Sequence, residues 1–391
     1  MQYRTDRHGA ALSQLGFGCM RFTRSGASID YAKAEREILA AVEAGVNYFD
    51  TAYLYPGSEE LLGRVVEKNA LRDRIYIATK LPQYTAHTMA AVEKTFREEL
   101  KRLRTDHVDY YLMHMFTDVR EWEFFKGIGM ADWVAARKAE GSIRNFGFSY
   151  HGETEMFLRI LDAWDWDICQ IQYNYMDETS QAGRTGLRSA AAKGIPVVIM
   201  EPLRGGKLTR LPPAAQAALE ETGRGWSPAQ WGLRWLWDQR EVTVVLSGMN
   251  SLEMVADNCA AAAEAVPGSF TDADRAALER VKAALRASEK VGCTGCRYCM
   301  PCPKGVDIPG IFHYYNLMGM QSRLETRFEY ARNAGIRQSP GFATACVRCG
   351  KCEQHCPQRL PIREKLREAD RALRPFPYNL GIALARKIMV K

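Results

Sequence analysis

Residues 45–55 read Gly45-Val-Asn-Tyr-Phe-Asp50-Thr-Ala-Tyr-Leu-Tyr55. The run 46–49 is short, apolar and aromatic, as a buried strand should be. The stretch 59–69 that follows has apolar residues at 3–4 spacing, as a helix should. The same alternation extends in both directions. Further strand-like runs lie at 15–18, 75–79, 108–113, 143–148, 168–172, 196–200 and 242–246. Helical patterns fall between them, at 31–44, 88–103, 154–164 and 251–263 among others. Ser58 and Ser251 stand where helix caps belong, and Ser227-Pro228 places proline at a first helical position. Residues 2–13, with 6–9 as a turn, read as a hairpin before the alternation begins. Eight strand–helix alternations over roughly 250 residues predict an α/β fold of the (β/α)8 TIM-barrel type. A doubly wound sheet is the alternative. Its dinucleotide fingerprint is missing, because Gly16-Phe-Gly18 continues as Cys-Met-Arg.

The 391 residues, 47% hydrophobic and 25% charged, exclude a disordered chain and suit two or three globular domains. No apolar run approaches the ~18 residues of a membrane span. The N-terminal stretch is polar without an apolar core, which suggests a cytoplasmic protein. The net charge of +7 is scattered, so nucleic acid is not an expected partner. Of 11 cysteines, eight fall in two runs near the C-terminus. The first is Cys293-x2-Cys296-x2-Cys299-x2-Cys302-Pro303. The second is Cys346-x2-Cys349-x2-Cys352-x3-Cys356-Pro357. In a reducing compartment such runs hold metal more often than disulfides. Zinc prefers separated Cys-x2-Cys pairs, which fits poorly. The second run matches the bacterial [4Fe–4S] ferredoxin pattern residue for residue; the first has a last gap one residue shorter. That pattern implies two [4Fe–4S] clusters with crossed ligation. One would use Cys293, Cys296, Cys299 and Cys356, the other Cys346, Cys349, Cys352 and Cys302. The long interval between the runs, helical around 321–333, resembles the helical kind of dicluster ferredoxin. Cys19, Cys169 and Cys259 read as buried apolar fillers.

In a barrel the chemistry sits at the C-terminal strand ends. Those ends offer Asp50, with Tyr55 five residues on, then Lys80 and His114. Each alone has an ordinary structural explanation. Together they suit one task, giving a proton to a carbonyl oxygen while hydride reaches its carbon. With Leu15-Gly-Phe-Gly18, Ala78-Thr-Lys80, Asp109-x-x-Leu-x-His114, Gly147-Phe-Ser149, Gln170-Ile-Gln172-Tyr-Asn174 and Glu201-Pro-Leu203, residues 1–287 resemble an aldo-keto reductase. Residues 288–391 would be a ferredoxin-type domain, so the whole chain resembles the iron–sulfur branch of that family.

The resemblance implies an NADPH- or NADH-dependent oxidoreductase acting on a small carbonyl or alcohol. Tyr55 would be the general acid/base, its phenol lowered from about pH 10 by Lys80. Asp50 would hold Lys80, and His114 would orient the substrate carbonyl. Ser149 and Gln172, with Asn174 in some members, would hold the nicotinamide carboxamide. Gly18, Met20 and Met200 would line the cofactor. Leu203, Gly205 and Gly206 would approach the pyrophosphate, with Arg204 and Lys207. Ser247, Gly248, Asn250, Asp257 and Asn258 would meet the adenosine half.

Three departures stand out. Met200 replaces the aromatic that usually stacks on the nicotinamide. Met249-Asn-Ser-Leu-Glu253 has an acidic residue where NADP-specific members carry a cation. The cysteine domain takes the place of the usual substrate loop. Trp122, Phe124 and Phe125, in the loop after the fourth run, could form an apolar rim or pack in the wall. The tail 374–391, with Phe376, Leu380, Ile382, Leu384 and Ile388 among basic residues, reads as a helix docking on the chain. Two further functions stay open: electron transfer from a substrate oxidation through the clusters to a ferredoxin-like partner, or redox-sensing regulation on a reductase scaffold.

Overall fold

The computed structural model describes residues 1–26, 28–319, 322–335 and 341–389. The chain divides into two compact units. The first comprises Met1–Leu203 with Ala229–Thr271, the second Arg204–Pro228 with Asp272–Lys391. Residues 204–228 and 272–287, read from sequence as barrel, thus pack in the unit that carries the cysteine runs.

In the first unit, β1 (Tyr3–Thr5) and β2 (Ala11–Ser13) form the expected antiparallel hairpin. After β3 (Leu15–Gly18), a second small hairpin, β4 (Arg24–Ser25) and β5 (Ser28–Ile29), has no counterpart in the sequence reading. Seven longer strands follow: β6 (Tyr48–Asp50), β7 (Tyr76–Leu81), β8 (Val108–Phe116), β9 (Ile143–Tyr150), β10 (Ile168–Gln172), β11 (Val197–Met200) and β12 (Val242–Ser247). With β3 they close a parallel barrel in the order β3-β6-β7-β8-β9-β10-β11-β12.

Strand alternation fills the barrel and aims its site. Tyr48, Ala78, Tyr110, Leu112, Ile168, Val198, Val244 and Leu246 point inward and pack with Leu12 of the hairpin. Phe49, Ile77, Tyr111, Met113, Ile171, Ile199 and Val245 point outward into the layer beneath the helices. Gly16 has no side chain because a Cβ there would stand 2.8 Å from both Leu246 and Val244. The surrounding helices bury one apolar face each. Tyr31–Glu43, capped by the Asp30 carboxylate accepting from the Lys33 amide, buries Ala34, Ile38, Ala41 and Val42. Burying a side chain of the Ile or Val size contributes about 1.5–3 kcal/mol.

Some local expectations change. Ser251 caps its helix, but Ser58 does not cap the helix Ser58–Lys68; Gly57 occupies that place in a left-handed conformation. The Ser58 hydroxyl instead donates to the Cys19 carbonyl and pairs with the Thr51 hydroxyl. Trp122, Phe124 and Phe125 lie on a helix, Val119–Gly127, not in a loop. Trp122 and Phe125 are buried, and Phe124 is exposed.

The second unit is helical among its described residues. Asp272–Ser288 packs with Pro213–Glu220, and Arg224 and Arg280 pair with Asp274 and Glu221. The cysteine runs surround a small core from Ile308–Leu317, Arg323–Tyr330 and Ile362–Leu373. In the tail helix, Tyr378–Met389, Ile382 is buried while Leu380 and Leu384 are exposed. Gln321, the Ile388 side chain and Lys391 lie outside the described residues. Among the described residues no helix is long and apolar enough to cross a membrane.

Candidate functional site

Barrel register brings the expected residues to one end. Gly18 pairs with Asp50, Asp50 with Ala78, Lys80 with Leu112, and Gln172 with Met200. Ser247 ends β12 and Ser149 lies near the end of β9. Every barrel strand therefore delivers a candidate side chain or glycine to the same mouth.

At its centre, the Lys80 ammonium donates to both Asp50 oxygens, at 2.7 and 2.8 Å, and to the Thr51 carbonyl at 2.7 Å. Gln170 adds a 3.2 Å hydrogen bond to the same carboxylate. Lys80 and Asp50 are 1% and 3% exposed, which an unpaired charge would not tolerate. Burial pushes the Asp50 carboxyl upward, against the pull of Lys80 and Gln170. The Tyr55 ring lies 5.4 Å from the Lys80 nitrogen and 6.0 Å, edge-on, from the His114 ring. Burial, and the nearby Lys80 and His151, hold His114 well below the usual histidine range, so its imidazole is neutral. Its Nδ1 makes no hydrogen bond with the described residues. Tyr53, the other tyrosine of the motif, lies under the Arg102 guanidinium at 4.2 Å.

Beside this centre runs a buried polar chain. The Ser149 hydroxyl accepts from the Met115 amide at 2.8 Å. Gln181 donates to Gln172, which donates to Asp177; Asn174 donates to Asp177 and to the Glu201 carbonyl. His151 meets Gln181 at 3.2 Å. Burial pushes His151 down to about 4. Met200 is half-buried, Met20 is exposed, and a Cβ on Gly232 would strike Leu203. Asn258 donates to the Ser247 hydroxyl, Gln230 holds Asp257, and the Asn250 carbonyl faces Thr23. Arg21 crosses Gly248, where a Cβ would stand 3.1 Å from its side chain, and lies 3.9 Å from Glu201. These groups suit a nicotinamide nucleotide: amide and hydroxyl partners at β9 and β10, and a glycine and a cation near the end of β12.

Gly205 and Gly206, expected near the pyrophosphate, belong to the second unit. They adopt left-handed φ values of 69° and 92°. In that unit Arg204 pairs with Glu289 at 3.2 Å and Lys207 with Glu289 at 3.7 Å.

The cysteine runs have a repeating backbone. Each of four Cys-x2-Cys gaps contains one left-handed residue: Gly295, Arg297, Arg348 and Gly350. Such turns present consecutive N–H groups to an anionic centre. The Arg348 amide points at the Cys346 sulfur, 3.4 Å away. The 299–302 gap has no left-handed residue. Cys299 is pushed up to about 12, by burial and by the proximity of Cys296, Cys293 and Cys356. Thus the end of the second run reaches the first. Cys352 is raised by burial and by Glu353 and Cys346. Among the described residues no three His, Cys, Asp or Glu side chains converge on a single ion. A four-iron cube is held at its corners, so its ligands stand apart. Clustered thiols with inward N–H groups fit such a polynuclear group.

The model of the aldo/keto reductase family matches residues 14–279. The chain belongs to that family. A 4Fe-4S dicluster domain model matches residues 292–360. The aldo-keto reductase str7 of Strobilurus tenacellus is 29% identical over 216 residues, covering 52% of this chain and 62% of that protein. The match therefore spans less than two thirds of that relative's length. L-galactose dehydrogenase of Arabidopsis thaliana is 26% identical over 66% of this chain and 86% of its own. An aldo-keto reductase of Klebsiella pneumoniae, solved in complex with NADPH, shares 25% identity at a TM-score of 0.57, covering 72% of this chain and 96% of that one.

Within the reductase barrel, sequence reasoning passed over Thr51, His151, Asp177, Gln181 and Arg21, and gave Gln170 no role. Gln170 precedes Gln172 by two, and the two-residue strand period could have placed it on the site face. Thr51, His151, Arg21, Asp177 and Gln181 lie outside the strands, where no period applies.

Proposed function

We propose that the barrel interconverts a carbonyl and an alcohol using NADPH or NADH. The observation that carries this reading is the buried Lys80–Asp50 pair with Tyr55 and His114 beside it. When bound, the nicotinamide supplies or accepts the hydride at the substrate carbon. The Tyr55 phenol gives its proton to the carbonyl oxygen in reduction and recovers it in oxidation. The Lys80 ammonium, fixed by Asp50 and the Thr51 carbonyl, favours the tyrosinate. Neutral His114 can donate a hydrogen bond to the substrate oxygen without competing for the proton. Ser149, Gln172 and Asn174 would hold the carboxamide; Met20 and Met200 would lie along the ring. Gly18, Leu203, Ser247, Gly248, Asn250, Asp257 and Asn258 would hold the remainder. Arg21 offers a cation for a phosphate, and the NADPH-bound Klebsiella relative makes NADPH the first nucleotide to try.

The cysteine runs would hold two [4Fe–4S] clusters, with the ligand sets Cys293, Cys296, Cys299, Cys356 and Cys302, Cys346, Cys349, Cys352. The approach of Cys356 to Cys299 supports the crossed arrangement. The barrel reading is tested with Tyr55→Phe. Turnover of a panel of small aldehydes should fall roughly 10²–10⁴-fold, the usual contribution of a general acid. Nucleotide binding, followed by fluorescence, should persist. Unchanged turnover would sink the assignment.

A further inference from the structure

Of the eight clustered cysteines, Cys349 alone is exposed; the other seven are partly buried. Beside it Val347 is 59% exposed, an apolar side chain left to solvent in a region with little core to spare. The surroundings are strongly positive. Arg348, Lys351, Arg359 and Arg363 lie within residues 346–363, against the single carboxylate of Glu353. Glu353 is taken up by Arg363, at 2.6–2.8 Å. Arg348, Lys351 and Arg359 are exposed. Arg363 also reaches the Arg348 carbonyl at 3.5 Å, which ties the basic residues to the turn that carries the cysteines. The first run differs in its cysteines: none of them is exposed, and Val291 and Thr294 flanking Cys293 are buried, although Arg297 and Lys304 are exposed.

We propose that the surface around Cys349 is the docking face for an acidic one-electron carrier protein of the ferredoxin type. The proposal rests on the reading of the second run as a cluster site. Hydride transfer in the barrel requires no solvent-facing thiolate, and a purely structural cluster is better protected when covered. Electron tunnelling falls steeply with distance, so an exchange site needs a cluster edge at the surface. An apolar contact ringed by cations supplies close approach and steering toward an acidic partner. In the exchange one electron leaves the carrier's reduced centre and one enters the cluster, or the reverse. No atom or proton changes hands.

The experiment uses the full chain, purified anaerobically with its clusters, and an acidic ferredoxin as probe. Affinity is measured by titration calorimetry at low and high salt. The variant Arg348→Glu/Lys351→Glu reverses the face without touching a cysteine. Lys94→Glu/Lys101→Glu, at two exposed residues of the first unit, is the control with the same change in net charge. The double variant should bind about 10-fold or more weakly at low salt, and the difference should vanish as salt screens the charges. Lys94→Glu/Lys101→Glu should change affinity less than about 2-fold. Binding unaffected by the double reversal, in protein that keeps its visible absorbance and is reduced by a small viologen, overturns the docking face alone. Failure of the wild-type chain to bind the ferredoxin also overturns it. Absence of iron and of visible absorbance in the wild-type chain overturns the cluster reading and the docking face together.

Discussion

The barrel mouth and the cysteine region carry their chemistry in opposite ways. Lys80 and Asp50 sit on strands hydrogen-bonded on both sides, are nearly inaccessible and satisfy each other. The fold has already assembled that site. The cysteines sit on irregular turns, mostly half-exposed, around a core far smaller than that of the barrel. Left-handed residues at Gly295, Arg297, Arg348 and Gly350 shape that backbone, with no ladder of strand hydrogen bonds to fix it. One site is held by the sheet, whereas the other would rely on the clusters proposed above to hold the chain.

The largest expected effect tests that contrast directly. Iron removal by a chelator should abolish the unfolding transition of the second unit and leave that of the barrel in place. In such domains the free energy of metal binding is also free energy of folding. Scanning calorimetry of the intact chain, with and without chelation, reads both transitions. If both survive, the helical core of Ile308–Leu317, Arg323–Tyr330 and Ile362–Leu373 stands by itself and the contrast is wrong.

A smaller effect probes the preassembled side. Asp50→Asn leaves the Lys80 ammonium buried beside the Thr51 carbonyl without a counter-charge. Breaking a buried pair on one side costs about 3–5 kcal/mol. Replacing both partners, as Asp50→Asn/Lys80→Met, should recover much of that stability without recovering turnover, because the tyrosinate then has no cation. Denaturant unfolding and turnover measured on the same three proteins separate the two. An additive cycle, with the double variant the least stable, would show that the pair does not hold the mouth together.

Legibility in the sequence followed the same divide. The barrel strands were readable because short apolar runs recur between helical patterns, and Asp50, Lys80 and His114 follow because they fall at run ends. The cysteine runs were readable from spacing alone, since ligand geometry constrains spacing directly. Packing partners were less legible. Residues 204–228 pack with Asp272–Ser288 through Arg224–Asp274 and Arg280–Glu221, which no local pattern announces. The role of Ser58 was misread because a serine before Glu60 looks like a cap, whereas its hydroxyl is drawn to Thr51 and Cys19 across the fold. Long-range partners such as Arg21 over Gly248 leave no local pattern at all.

The smallest expected effect is a pH slope belonging to the barrel mouth. His151 is buried against Gln181, and burial pushes it down to about 4. In the unfolded chain it titrates near 6.5. Between those values the unfolded state binds a proton that the folded state refuses, so stability falls as pH falls through that window. From pH 7.5 to 5.0 the loss from this one group is about 2 kcal/mol. His114, also displaced downward, adds to it. The buried carboxyls of Glu59 and Glu99 are pushed upward and act with the opposite sign, since they hold protons when folded that they lose when unfolded. The total slope is therefore a balance, and the diagnostic quantity is the difference between wild type and His151→Gln. Stability from denaturant unfolding at the two pH values should drop by about 2 kcal/mol less in the variant. Equal drops would mean that the histidine is protonated in place, and that the polar chain from His151 to Asn174 admits water where the structure packs it closed.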